Sequence, residues 1–234
     1  ILHMLVLAMD SNSVMDLMLV VWYHYWCSTH NQLFIGHHGA YEYDPVWYTD
    51  DLGKSWTASN TYFKKMDEAQ LVELGDGIVM ANMRNQHLNV RESWGIDIKG
   101  TARGIAVSTD GGDNFGEIYY DPVLVDPINA ASIIRDYSTD VVYFSNAAHP
   151  TTRVRMTVKR SVDFTKTWGS ELLVFEGRDK KNNLEIGPSA YSDMIDLEDE
   201  EYIGLTWETN STGCKGESCR TLFSFVPKKF LFVC

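Results

Sequence analysis

The chain has 234 residues, of which 44% are hydrophobic and 22% charged, and its formal net charge is −12. This composition can bury a core and excludes long disorder. The acidic balance excludes the basic footprint that a nucleic-acid partner or an anionic membrane surface demands. A small anionic substrate stays compatible with it, because a local arginine cluster outweighs the global field at short range.

Residues 1–32 form an N-terminal segment of uncertain role. It has two apolar runs, ILHMLVLAM and VMDLMLVVWYHYW, separated by DSNS. Neither run approaches the roughly 20 apolar residues of a transmembrane helix. A basic start and a small-residue cleavage site, the marks of a signal peptide, are missing. The segment reads as two strands, or as the ragged edge of a fragment. Residues 33–234 then read as the main domain.

Three segments of that domain align. They are Thr49-Asp50-Asp51-Leu52-Gly53-Lys54-Ser55-Trp56, Ser108-Thr109-Asp110-Gly111-Gly112-Asp113-Asn114-Phe115 and Ser161-Val162-Asp163-Phe164-Thr165-Lys166-Thr167-Trp168. The shared form is S/T-x-D-x-G-x-S/T-W, with Asn114 and Phe115 departing in the second copy and Thr165 in the third. Such a pattern is a hairpin turn. The Asp accepts hydrogen bonds from the turn's own backbone. The Gly supplies a conformation that costs other residues more, and the aromatic folds back to bury area. The motif is a folding staple, and its residues are not expected to be catalytic.

A strand-like run precedes each turn: DPVWYT, ARGIAVS and RMTVKRS. Further runs, GIVMANMR, VVYFSN and YIGLTWE, lie between. The aromatic content of 12% fits strands, and no segment carries a long 3.6-residue period. The turns begin 59 and 53 residues apart, about the length of one four-stranded blade with its loops. The expected fold is therefore an all-β β-propeller, here about four blades.

Four cysteines are present: Cys27, Cys214, Cys219 and Cys234. They form no CxxC metal pattern. Cys214 and Cys219 bracket the polar turn TGCKGESC, and either a local disulfide or two free thiols suits them. Asn210-Ser211-Thr212 fits the N-glycosylation pattern. His24, His30, His37 and His38 lack the carboxylates or the i,i+4 helical frame of a metal site and read as loop histidines. No metal and no cofactor is expected.

Longer stretches carry a resemblance. Glu68-Ala69-Gln70 leads through Glu73-Leu74-Gly75-Asp76-Gly77 to Asn82-Met83-Arg84. Leu124-Val125-Asp126-Pro127 precedes Ala130-Ala131. Asn146-Ala147-Ala148-His149-Pro150 precedes Arg153-Val154-Arg155. Gly187-Pro188-Ser189-Ala190-Tyr191-Ser192 and Leu205-Thr206-Trp207-Glu208 complete the series. In this order, over roughly residues 33 to 227, they resemble the sialidase family and most of all its animal lysosomal-type members. The three turns look like that family's Asp boxes. The resemblance implies a six-bladed propeller, incomplete here, and an exo-α-sialidase that removes terminal sialic acid from glycoconjugates with retention. It also implies oligosaccharide and ganglioside catabolism in the lysosomal or secretory pathway, with membrane association left open.

What the resemblance implies for residues follows motif by motif. Tyr191 matches the nucleophile. The substrate carries a carboxylate at its anomeric centre, and a neutral phenol meets less repulsion there than an aspartate would. A phenol attacks poorly without a base, and Glu68 matches that base, with Glu73 nearby as its rival. Arg84 and Arg153 match two of three arginines that grip the carboxylate through paired, charge-assisted bonds. Arg155 rivals Arg153 from two positions on, read as the same strand face. Glu208 matches a glutamate that braces the arginines. His149 is expected to shape the loop near Arg153.

The family's first arginine and its acid/base aspartate find no match, since Asp10 and Asp16 lie in no corresponding context. General acid catalysis is worth about 10² to 10⁴ in rate, so weak or absent activity is expected of this chain alone. Two other readings stay open: a sialic-acid-binding propeller without catalysis, and an interaction scaffold built on the same turns.

Overall fold

The computed structural model describes residues 33–35, 44–85, 101–177, 189–209 and 220–230. The expected strands of residues 1–32, the four cysteines, the Asn210 sequon and His24, His30, His37 and His38 lie outside them. Among the described residues there is no helix, and the secondary structure is antiparallel β throughout.

The described residues form fourteen strands in four sheets. β1 (Leu33–Ile35), β2 (Asp44–Thr49) and β3 (Thr57–Phe63) make a three-stranded sheet in that order. β4 (Met66–Gly75), β5 (Ile78–Asn85), β6 (Thr101–Ser108) and β7 (Tyr119–Asp126) make a four-stranded one. β8 (Ser132–Asp136), β9 (Val141–Ala147), β10 (Met156–Ser161) and β11 (Ser170–Phe175) make another. β12 (Ser189–Asp196), β13 (Tyr202–Thr209) and β14 (Arg220–Pro227) make the last. The six strand-like runs singled out between residues 44 and 208 are strands, except that Gly77 and Arg155 precede theirs.

The three repeated turns join β2 to β3, β6 to β7 and β10 to β11. In both four-stranded sheets the turn therefore links the third strand to the fourth. By the same token β2 and β3 take the places of third and fourth strands.

Each turn is closed in the same way. Asp51 Oδ1 accepts from Ser55 N–H at 2.8 Å and from the Thr49 hydroxyl at 2.7 Å, while Oδ2 takes the Ser55 hydroxyl at 2.6 Å. Asp110 holds Asn114 and Ser108 in the same fashion, and Asp163 holds Thr167 and Ser161. The hydrogen bonds from Ser55, side chain first, and from Thr49 hold the Asp51 carboxyl down at about 2. Hydrogen bonds from Asn114 and from Thr167 likewise lower Asp110 and Asp163.

One detail corrects the motif reading. Two successive residues per turn, not glycine alone, have positive φ: Leu52 and Gly53 at 61° and 84°, Gly111 and Gly112 at 76° and 96°, Phe164 and Thr165 at 56° and 67°. The third turn makes this conformation with no glycine at all. The aromatics close over the turns less completely than expected. Phe115 is buried against Phe63, but Trp56 and Trp168 are half-buried. Trp168 packs on Phe144 and donates its indole N–H to Asp121 at 3.0 Å.

Packing divides the chain into two compact units, residues 1–86 with 104–119 and residues 87–103 with 120–234. The first is built on β1 to β6. β4 is buried along almost its whole length and turns into β5 through Asp76-Gly77, with Gly77 at φ 69°. A two-residue Asp-Gly loop suits the right-handed twist of a hairpin. Phe63, Val72, Met80 and Met83 fill this unit's core. In the second unit Ile133, Val142, Phe144, Val158 and Leu205 are fully buried. There Lys228 clasps Asp136 at 3.0 Å and Asp196 at 2.9 Å. Burial opposes ionisation of Asp136, but hydrogen bonds from Ser138, Lys228 and Thr139 outweigh it and hold the carboxyl at about 2.

Candidate functional site

The candidate residues fall in both units, Glu68 and Arg84 in the first and Arg153, Tyr191 and Glu208 in the second. In the first unit a register irregularity decides the geometry. The β4–β5 ladder pairs Asp67 with Arg84 and Gln70 with Asn82. Two residues, Glu68 and Ala69, thus stand opposite the single residue Met83. An extra residue in a ladder shifts the alternation of side chains by one. Glu68, which would otherwise face away from the Asp67–Arg84 pair, turns back towards it with φ at 35°. The Arg84 Nη1 donates to Glu68 Oε2 at 2.6 Å, with both side chains almost buried at 12% and 11% exposure. At that depth a charge-assisted bond is strong and a lone charge expensive. Glu73 sits at the other end of β4, buried opposite Val79. The structure therefore brings Glu68, not Glu73, to Arg84.

In the second unit the same device recurs. β12 pairs Ser189 with Thr209 and Ser192 with Trp207. Ala190 and Tyr191 together stand opposite Glu208, and both Tyr191 and Glu208 are half-buried. The Arg153 guanidinium lies over the Tyr191 ring, 5.4 Å from its centroid. That is cation–π distance.

Arg153 is fixed from three directions. Its Nη2 donates to the Ile128 carbonyl at 2.8 Å, and its own carbonyl accepts the Ser189 N–H at 2.9 Å. The Nδ1 of His149 accepts the N–H groups of Thr151 and Thr152 at 3.3 and 3.0 Å and folds the loop that leads into it, as expected of that histidine.

Arg155 is a correction. It does not share a strand face with Arg153, because both residues precede β10. Arg155 has φ 64°, and its guanidinium pairs with Glu176 at 2.9 and 3.0 Å. The left-handed turn at this residue sends the two arginines different ways.

Sequence reasoning passed over Arg103, whose side chain is fully buried. It faces Asp126 at 3.4 Å and donates to the Asn129 carbonyl at 2.6 Å. Ile128, between these anchors, has φ 57°. Arg103 thus stiffens the loop whose carbonyl holds Arg153. Asp126 belongs to one of the matched motifs, but nothing in the sequence pairs it with an arginine 23 positions earlier.

No family model matches the chain. A sialidase of Micromonospora viridifaciens is 35% identical over 178 residues, 73% of this chain and 24% of the relative. A sialidase of Bacteroides fragilis is 30% identical over 174 residues, 70% of this chain and 28% of the relative. The chain thus spans about a quarter of the length of the curated relatives it matches. Among solved structures, a Hadza microbial sialidase superimposes with a TM-score of 0.60 at 23% identity, covering 77% of this chain and 33% of the other. The NanB sialidase of Streptococcus pneumoniae gives 0.62 at 18% identity, covering 81% and 27%. At such identities the structural likeness shows the fold: all-β sheets of a sialidase β-propeller, in part. The sequence relatives support the sialidase family, and those named are bacterial.

Proposed function

With the sialidase family as the premise, we propose that this chain carries the Tyr, Glu and two Arg positions of an exo-α-sialidase site. The observation that carries the proposal is a repeated one. Glu68 and Tyr191 each sit in a two-for-one bulge of a sheet's first strand, and each lies beside an arginine, Arg84 and Arg153. The relatives' printed names supply the activity, and their substrate class, sialylated glycoconjugates, comes with it.

In this reading the phenol oxygen of Tyr191 forms the bond to C2 of sialic acid as the glycosidic C2–O bond breaks. The family match gives Glu68 the role of the base that takes the phenolic proton. The family match gives Arg84 and Arg153 two of the positions that bind the sugar's carboxylate. Water then attacks C2 from the vacated side as the C2–O bond to Tyr191 breaks, and its proton goes to the group that protonated the leaving oxygen. Sialic acid is released with overall retention, and the proton on Glu68 returns to the phenol. A tyrosine nucleophile makes sialidases an exception to paired-carboxylate glycosidase chemistry. The leaving oxygen's proton donor is not assigned to any residue of this chain. Glu208, opposite the Tyr191 bulge, braces this half of the site.

The finer parts of the reading belong to the same proposal. The three turns are Asp boxes, and the motif series leans to the animal lysosomal type. A lysosomal or secretory location with ganglioside and oligosaccharide substrates goes with it. Turnover of a fluorogenic sialoside by the purified chain, compared with Tyr191→Phe and Glu68→Gln, tests the activity. Binding of sialic acid, compared with Arg153→Ala, tests carboxylate capture. Indifference of both measurements to all three substitutions sinks the reading.

A further inference from the structure

A residue added to one side of a β ladder leaves its own N–H outside the regular pairing and bends the backbone. Glu68 shows both effects. Its φ of 35° belongs to a region that a long L side chain resists, and glycine is the usual occupant where a bulge needs positive φ. Its N–H is accepted by Oδ1 of Asp67 at 2.9 Å. Asp67 is fully buried, so a carboxylate has been taken out of water next to the bulge. The neighbouring strand closes on the same point. β6 pairs Gly104 with Met83, and a Cβ on Gly104 would stand 2.5 Å from the sulfur of Met66. The backbone just before Asp67 is therefore gripped from the side, and Asp67 caps the amide just after it.

We propose that Asp67 is the positioning residue for Glu68. Its carboxylate oxygen replaces the ladder acceptor that the bulge removes, and so holds the left-handed turn that aims Glu68 at Arg84. The inference rests on reading Glu68 as the site's base. It goes further by assigning the base's orientation to the acid beside it rather than to Arg84 alone. What Asp67 supplies is an acceptor at a fixed place, and an amide oxygen serves that purpose as well as a carboxylate.

The test uses Asp67→Ala, which removes the acceptor, and Asp67→Asn, which keeps it. In protein labelled with ¹⁵N-glutamate, hydrogen exchange at the Glu68 amide should quicken by about tenfold or more in Asp67→Ala. In Asp67→Asn it should stay within about threefold of the parent. Fluorogenic sialoside turnover should follow, with kcat reduced about tenfold in Asp67→Ala at little-changed KM and largely restored in Asp67→Asn. Unchanged Glu68 exchange in Asp67→Ala overturns the proposal. So does an Asp67→Asn variant in which that amide exchanges more than threefold faster than in the parent, a comparison that decides the matter even where Asp67→Ala does not fold. Glu68→Gln separates this proposal from the reading beneath it. If that variant turns over substrate like the parent, the glycosidase reading falls, while Glu68 amide exchange still decides the role of Asp67.

Discussion

Glu68 meets the guanidinium of Arg84 at 2.6 Å although the strand ladder pairs Arg84 with Asp67. One inserted residue makes the difference. Without the bulge, Glu68 and Arg84 would point to opposite faces of the sheet. The contact is therefore a product of register, and it joins two groups that would each be costly to bury alone.

Substituting Glu68 by Gln keeps the shape and removes the charge. Arg84 is then left nearly buried beside a neutral group, and a loss of about 1–3 kcal/mol in stability is expected. Sialoside turnover should fall about 10²-fold or more, as befits a general base. Thermal unfolding and a fluorogenic assay on the same preparation separate the two effects.

Tyr191→Phe keeps the ring beneath Arg153, 5.4 Å from the guanidinium, and removes only the oxygen. Stability should change by less than about 0.5 kcal/mol, as for a mild substitution at a half-buried position. Turnover should fall to about 1% of the parent or less, as loss of a nucleophile requires. A variant as active as the parent would remove Tyr191 from the mechanism.

The third turn offers a stabilising change. Thr165 has φ 67° and carries a branched side chain, and left-handed backbone costs such a residue roughly 1–2 kcal/mol. Glycine's added backbone entropy offsets roughly 0.5–1 of that. Thr165→Gly should thus raise stability by about 0.5–1 kcal/mol, or Tm by about 2 °C. The reverse control is Gly53→Ala, since φ at Gly53 is 84° and the nearest atom, on the Trp56 ring, stands at an ordinary 3.6 Å. It should lower Tm through backbone strain alone.

Acid should loosen the three turns together. Asp51 sits at about 2 against an ordinary 3.8, held there by the hydrogen bonds from Ser55 and Thr49. Asp110 and Asp163 are lowered by the same kind of bonds. A depressed folded-state value means the unfolded chain binds protons first, so stability falls as pH falls. The turns' contribution is full above about pH 4 and is lost as the pH drops through about 2. Melting curves of the parent and Asp51→Asn should differ at pH 5 and converge between pH 4 and 2. A gap that stays constant across that window would mean the carboxylate's charge is not what closes the turn.

Much of the molecule was legible in the amino-acid order because the controlling interactions are local. Asp51, Asp110 and Asp163 bond groups within four residues of themselves, so a repeated octapeptide suffices to show three turns. β2, β6 and β10 precede those turns as alternating or apolar runs, and all-β architecture follows from them. Tyr191, Glu68, Arg84 and Arg153 could be singled out because a motif keeps its order along the chain whatever the fold does with it.

Pairing was the part that only tertiary structure decided. Asp67 and Glu68 are adjacent acids in the sequence, and nothing in that order tells which one reaches Arg84 and which one caps an amide. A bulge, which depends on where the opposite strand begins, gives them those separate tasks. Arg155 rivals Arg153 in the sequence, but its positive φ sends its guanidinium to Glu176. Arg103 found Asp126 and the Asn129 carbonyl across a hairpin's length of chain. Local hydrogen bonds are written in neighbouring residues, whereas register, which depends on two strands at once, belongs to the folded sheet.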